Sequence, residues 1–159
     1  MTSATEFKIS DCLTQEIALM TKLNELLKNE QLALVDNEIS ALNQYTQEKS
    51  ILVNQVNELE RQRAQHLTGL GYANTLEGVQ SFLEQADEST QRDWHTLLGL
   101  TAEARESNRA NGLMINRRLL QSQAGLESLQ QNNPTGNLYG PSGQAVINSA
   151  LKGRGVKAG

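Results

Sequence analysis

Apolar residues recur along most of this chain at steps of three, four and seven. Ile9, Leu13, Ile17, Met20, Leu27 and Leu34 form one such series, and Leu19, Leu23 and Leu26 widen it. Residues three or four apart share a face of an α-helix, so the spacing predicts a long first helix with a nearly heptad apolar seam. Ser3 followed by Glu6 has the form of a capping box and places its start near residue 4. A break is expected between Leu34 and Asp36, with Asp36 as cap of the next helix. The second series is Ile39, Leu42, Tyr45, Leu52, Val56, Leu59 and Leu67. Lys49 interrupts it, and the expectation is that its methylene stem lies along the core edge while its ammonium reaches water. Gly69 and Gly71 end this second helix.

Asn74 with Glu77 predicts the cap of a short third helix carrying Val79, Phe82 and Leu83. Between Asp87 and Thr90 a last start signal appears, and no proline follows until beyond Gln131. The stripe of this fourth helix is Trp94, Leu97, Leu98, Thr101, Ala104, Asn108, Asn111, Ile115, Leu119, Ser122, Leu126 and Leu129. Its middle is polar. Asn108 and Asn111 fix helix register if packed, as a polar core residue does in a coiled coil, or mark a loosely packed groove if not. Helices this long are rarely stable alone and must pack lengthwise. The expected fold is all-α: an elongated antiparallel bundle of three long, coiled-coil-like helices with a short connector helix. Trp94, Leu98, Leu13, Ile17, Leu52 and Val56 are expected inside it.

The pattern changes after Asn132. Both prolines of the chain, Pro134 and Pro141, fall there with Gly136, Gly140 and Gly143. The domain reading is therefore a helical bundle over 1–132 and a flexible tail over 133–159. That tail is not uniformly polar. Leu138 and Tyr139 sit within the turn-forming stretch, and Val146, Ile147 and Leu151 follow in a segment bounded by Pro141 and Gly153. A helix of about ten residues there is marginal in water and would form against an apolar surface.

Composition narrows the function. Of 159 residues, 38% are hydrophobic and only 4% aromatic, a balance that suits helices better than sheets. Net charge is -4, and every Asp and Glu lies at or before Glu127, so an acidic body precedes a basic tail carrying Lys152, Arg154 and Lys157. An acidic body argues against nucleic acid as the main ligand. No signal peptide or membrane-length apolar run is seen, and one cysteine, Cys12, cannot form an internal disulfide. The expectation is a cytoplasmic protein without membrane insertion, with Cys12 as a small apolar filler. His66 and His95 fall on different helices, and no zinc-ligand cluster, phosphate loop or nucleophile–base pair is present in the sequence. No enzyme activity, metal or cofactor is expected.

Three stretches together make the chain similar to the FlgN family of flagellar export chaperones: "LLKNEQLALV", "ESNRANGLMINRRLLQSQAGLESLQ" and "LYGPSGQ". The resemblance lies in Asn108 and Asn111 ahead of Met114 and Ile115, followed by a Tyr-Gly-x-x-Gly turn at Tyr139–Gly143. It implies a cytoplasmic, non-enzymatic chaperone that holds amphipathic terminal segments of hook-filament junction proteins of the FlgK and FlgL type. It further implies delivery of those clients to the flagellar type III secretion apparatus, with binding towards the C-terminus. The candidate partner-binding residues are Ile115, Leu119, Leu126, Leu129, Leu138, Tyr139, Val146, Ile147 and Leu151. The alternative is a structural coiled-coil adaptor that stays with its partners in a finished assembly.

Overall fold

A computed structural model of the chain describes residues 4–132. Four helices follow in order: α1 Ala4–Asp36, α2 Ile39–Gly69, α3 Leu76–Gln85 and α4 Glu88–Asn132. The all-α expectation of three long helices and one short one holds, and the described residues contain no strand. Ser3 of the expected capping box and the tail beyond residue 132 lie outside the described residues. Two compact units meet within α4, the first ending at Ser107 and the second beginning at Asn108.

The helix ends are set by local chemistry, in part by other residues than the spacing suggested. Asp36 closes α1 rather than capping α2. Asn37 takes φ 60, the left-handed region that asparagine tolerates better than most residues. Glu38 N–H then donates back to Ala33 O at 3.0 Å, closing α1 with a Schellman-type turn. The same device ends α2, where Gly71 has φ 92, Gly71 N–H donates to Thr68 O and Tyr72 N–H to Leu67 O. Thr75, not Asn74, caps α3, its hydroxyl accepting from Gly78 N–H at 3.1 Å. Asp87 caps α4 by accepting from Thr90 N–H at 2.8 Å, as the start signal predicted.

Gly78 is held by space. A Cβ there would run into the Ala73 carbonyl, which is backbone and cannot swing aside. Gly78→Ala should therefore disrupt the α2–α3 connection despite alanine's better helix propensity. A cost of about 1–3 kcal/mol is expected in urea unfolding, where an unobstructed helical Gly→Ala would gain about 0.5–1. Gly99→Ala, with open space around its Cβ, is the matched control.

α1 is the helix around which the first unit is built. Ile9, Glu16, Leu23 and Glu30 recur every seven residues, as do Leu13, Met20, Leu27 and Leu34, and all eight are buried. The two glutamates explain how α2 is seated. Glu16 accepts from Arg63 at 2.8 Å, and Glu30 accepts from Lys49 Nζ at 2.9 and 3.1 Å. Both carboxylate side chains are 2% exposed and both cations 12%. Moving fourteen residues back along α1 corresponds to fourteen forward along α2, so the helices run antiparallel in a single register. That register sets Val56 across from Leu23 and Leu70 across from Ile9, and both pack against the core. Ionic and apolar layers thus alternate. The expectation that Lys49 reaches water is overturned: its ammonium is drawn to Glu30, because a buried carboxylate needs a cation more than the cation needs water.

The rest of this unit closes over α1. Arg63 lies with its guanidinium carbon 4.9 Å from the Trp94 ring centroid, so one cation meets Glu16 of α1 and an aromatic face of α4. Asn24 donates to Leu100 O at 3.1 Å, a second polar tie between α1 and α4. Phe82 of α3 is buried edge-on to Tyr72, with ring centroids 5.7 Å apart. Leu13 is buried as expected, and Ile17, Leu52, Val56 and Trp94 are partly buried against the core. Leu98 is not: it is 48% exposed, while its neighbour Leu97 is buried. Ile39, first on α2, is also exposed, because it precedes the point where α2 packs on α1.

Candidate partner-binding surface

The described part of the second unit is helix throughout, from Asn108 to Asn132. Asn111 is 1% exposed and Asn108 partly buried. Burial of Asn111 is what a register-fixing amide requires and not what an open groove would leave. Beyond it the apolar residues emerge. Ile115 and Leu119 are partly buried, whereas Leu126 and Leu129 are 36% and 65% exposed. The four therefore share the predicted stripe but grade from shelter to solvent along it. Leu138, Tyr139, Val146, Ile147 and Leu151 lie outside the described residues.

Two exposed residues were not on that stripe. Leu113 and Leu120 are 48% and 64% exposed and sit seven apart, on a face turned well away from Ile115 and Leu119. Arg109 and Arg117 stand four residues either side of Leu113, so cations flank the ridge. This half of α4 is apolar on more than one side. A helix of that character is ordinarily covered. The signal was present in the sequence as the seven-residue step from Leu113 to Leu120, but a stripe template that admits one face passes over it.

The charged groups of the first unit are engaged in packing. Burial raises the Glu16 carboxyl above its ordinary value of 4.5, and the hydrogen bond and charge of Arg63 pull against that rise. Cys12 is buried one turn away. Burial lifts its thiol, and the charges of Glu16 and Asp11 push it further in the same direction, away from the thiolate a nucleophile needs. The exposed Glu58 carboxyl, held by Arg61 and Gln62, falls to about 2. Among the described residues no group of three or more His, Cys, Asp or Glu stands close enough to hold a metal ion, and no helix is long and apolar enough to cross a membrane.

A family model described as "FlgN protein" matches residues 1–147. The chain belongs to the FlgN family. The match runs through the whole of α1–α4 and past Leu138, Tyr139, Val146 and Ile147, stopping short of Leu151. Among curated FlgN proteins, the "Flagella synthesis protein FlgN" of Proteus mirabilis is 32% identical over 115 residues, covering 68% of this chain and 77% of that protein. Among solved structures, a crystal structure from Pseudomonas aeruginosa, described as a flagella synthesis protein of the same type, superposes with a TM-score of 0.60. It is 23% identical and covers 73% of this chain and 92% of its own. At that identity the likeness speaks for the fold, and the helical architecture is that of a FlgN relative.

Proposed function

We propose that this chain is a non-enzymatic flagellar export chaperone working in the cytoplasm. It holds amphipathic terminal segments of hook-filament junction proteins of the FlgK and FlgL type and passes them to the flagellar type III secretion apparatus. Membership of the FlgN family and the naming of its relatives as flagella synthesis proteins support a part in building the flagellum. The observation that carries the chaperone reading is the run of exposed leucines on the second half of α4, ending at Leu129. An amphipathic client helix laid against such a face is held by a few apolar anchors at i, i+3, i+4 and i+7. Each anchor, once buried, contributes roughly 1.5–3 kcal/mol, while ordering a tail segment in coupled folding and binding costs roughly 2–5 kcal/mol. The net affinity is moderate, which suits a client that must be released.

The test is titration of the chain with a helix-bearing terminal fragment of a FlgK- or FlgL-type protein. Leu129→Asp, Tyr139→Asp and deletion of residues 133–159 should each weaken binding about tenfold or more, equivalent to the loss of roughly one anchor. The far-ultraviolet helix signal per residue of the body should stay in place. Unchanged binding by the deleted chain would remove the tail from the site, and unchanged binding by Leu129→Asp would remove the end of α4. A chaperone should also be found with soluble protein and be absent from finished hooks and filaments, where an adaptor would remain.

A further inference from the structure

We propose that the helix received by the second half of α4 is an acidic one, with its apolar ridge on Leu113 and Leu120 and its flanking carboxylates facing Arg109 and Arg117. This rests on the reading of that region as the client surface. Arg109, Leu113, Arg117 and Leu120 follow at steps of four, four and three, which puts them on one face of the helix. Arg109 and Arg117 are exposed, as are both leucines. A lone apolar ridge accepts any amphipathic helix. A ridge edged by guanidinium groups favours one whose polar flanks are Asp and Glu, since arginine pairs with carboxylates in a fork of two hydrogen bonds.

The charge of the whole chain points the same way, and its dividing line coincides with the boundary between the units. Residues 108–159 carry six cations (Arg109, Arg117, Arg118, Lys152, Arg154 and Lys157) against one acid, Glu127, a net of +5. Residues 1–107 carry eight cations against seventeen acids, a net of -9, and the two together give the -4 of the chain. A basic amphipathic helix would be drawn to the acidic first unit and held there without using the exposed leucines. An acidic one is repelled from the first unit and attracted to the second. The separation of charge therefore both steers the right partner and rejects the wrong one, which is how specificity is achieved when apolar contact alone discriminates poorly.

Two synthetic amphipathic peptides with the same leucines at i, i+3, i+4 and i+7 test this, one flanked by Glu and one by Lys. Each is titrated against the full-length chain at low and high salt. The Glu-flanked peptide should bind several-fold tighter, and the preference should shrink as salt is added. Arg117→Glu should abolish or invert the preference, Arg117→Lys should keep most of it, and neither should change the helix signal. Equal binding of the two peptides, or a preference that survives Arg117→Glu, overturns the inference. So does binding of neither peptide by a chain that still binds the junction-protein fragment. Binding of neither peptide nor fragment overturns the client reading as well. Tighter binding to phosphatidylserine vesicles than to the Glu-flanked peptide overturns it in favour of an anionic membrane surface.

Discussion

Arg63→Met should lower the stability of the first unit by about 3–5 kcal/mol near neutral pH, read as a shift of the urea midpoint. Methionine keeps much of the arginine's length and can still lie against Trp94, so the loss measured is chiefly that of the charge facing Glu16. That carboxylate is 2% exposed, and without Arg63 it is ionised in an apolar layer with no cation beside it. The pH dependence identifies the cause. Glu16 already titrates above 4.5, because burial outweighs Arg63, and removing Arg63 raises it further. A carboxyl whose folded pKa is raised is no burden below its unfolded value, where it is protonated in both states. Stability is then lost as pH climbs through the raised value. The gap between variant and parent should thus be narrow below 4.5 and open on the way to neutrality. Adding Glu16→Leu to Arg63→Met should restore most of the loss, since an apolar pair of similar volume is commonly as stable as the ion pair it replaces.

Leu27→Ala should cost about 2–5 kcal/mol, because Leu27 is 1% exposed in the middle of α1 and the layers on either side limit how far the cavity can close. Leu98→Ala is the instructive contrast. Its expected effect is within about 0.5 kcal/mol, as for a surface position, although the apolar stripe of α4 places it inside. Calorimetric or urea unfolding of the two variants side by side separates a residue that the stripe includes from one that the packing uses.

The distance between those two leucines is a measure of what was legible beforehand. Periodicity revealed the number of helices, the approximate span of each, the Gly71 stop and the Asp87 start, because each follows from residues close together in the chain. It did not reveal which side of a broad stripe meets a neighbour, so Leu98 was misplaced while the adjacent Leu97 was not. Glu16 and Glu30 escaped because a carboxylate on a helix reads as solvated until its partner is known. Their partners lie 47 and 19 residues away, and the pairing becomes visible only when α1 and α2 are set antiparallel in one register. Asn37 escaped for a similar reason: left-handed turns are usually sought at glycine. At the candidate surface the stripe of Ile115, Leu119, Leu126 and Leu129 could be read directly. Leu113 and Leu120 could not, because a residue facing away from the bundle gives no sign, in one sequence, of whether anything else will cover it.

The alternation of ionic and apolar layers between α1 and α2 also fixes how this hairpin can move. Sliding by one heptad would set Glu16 against Val56 or Leu70 and Glu30 against Val56 or Leu42, stranding both carboxylates. Sliding by two would rejoin only one of them with a cation, Glu30 with Arg63 or Glu16 with Lys49, and would leave the other beyond the end of α2. The joint is keyed, with a single seat. It cannot act as a ratchet, and the presence of a bound partner cannot be signalled by one helix creeping past the other. Whatever reads the loaded protein must read the partner itself, or the stretch of α4 beyond Ser107, where no such key has been cut.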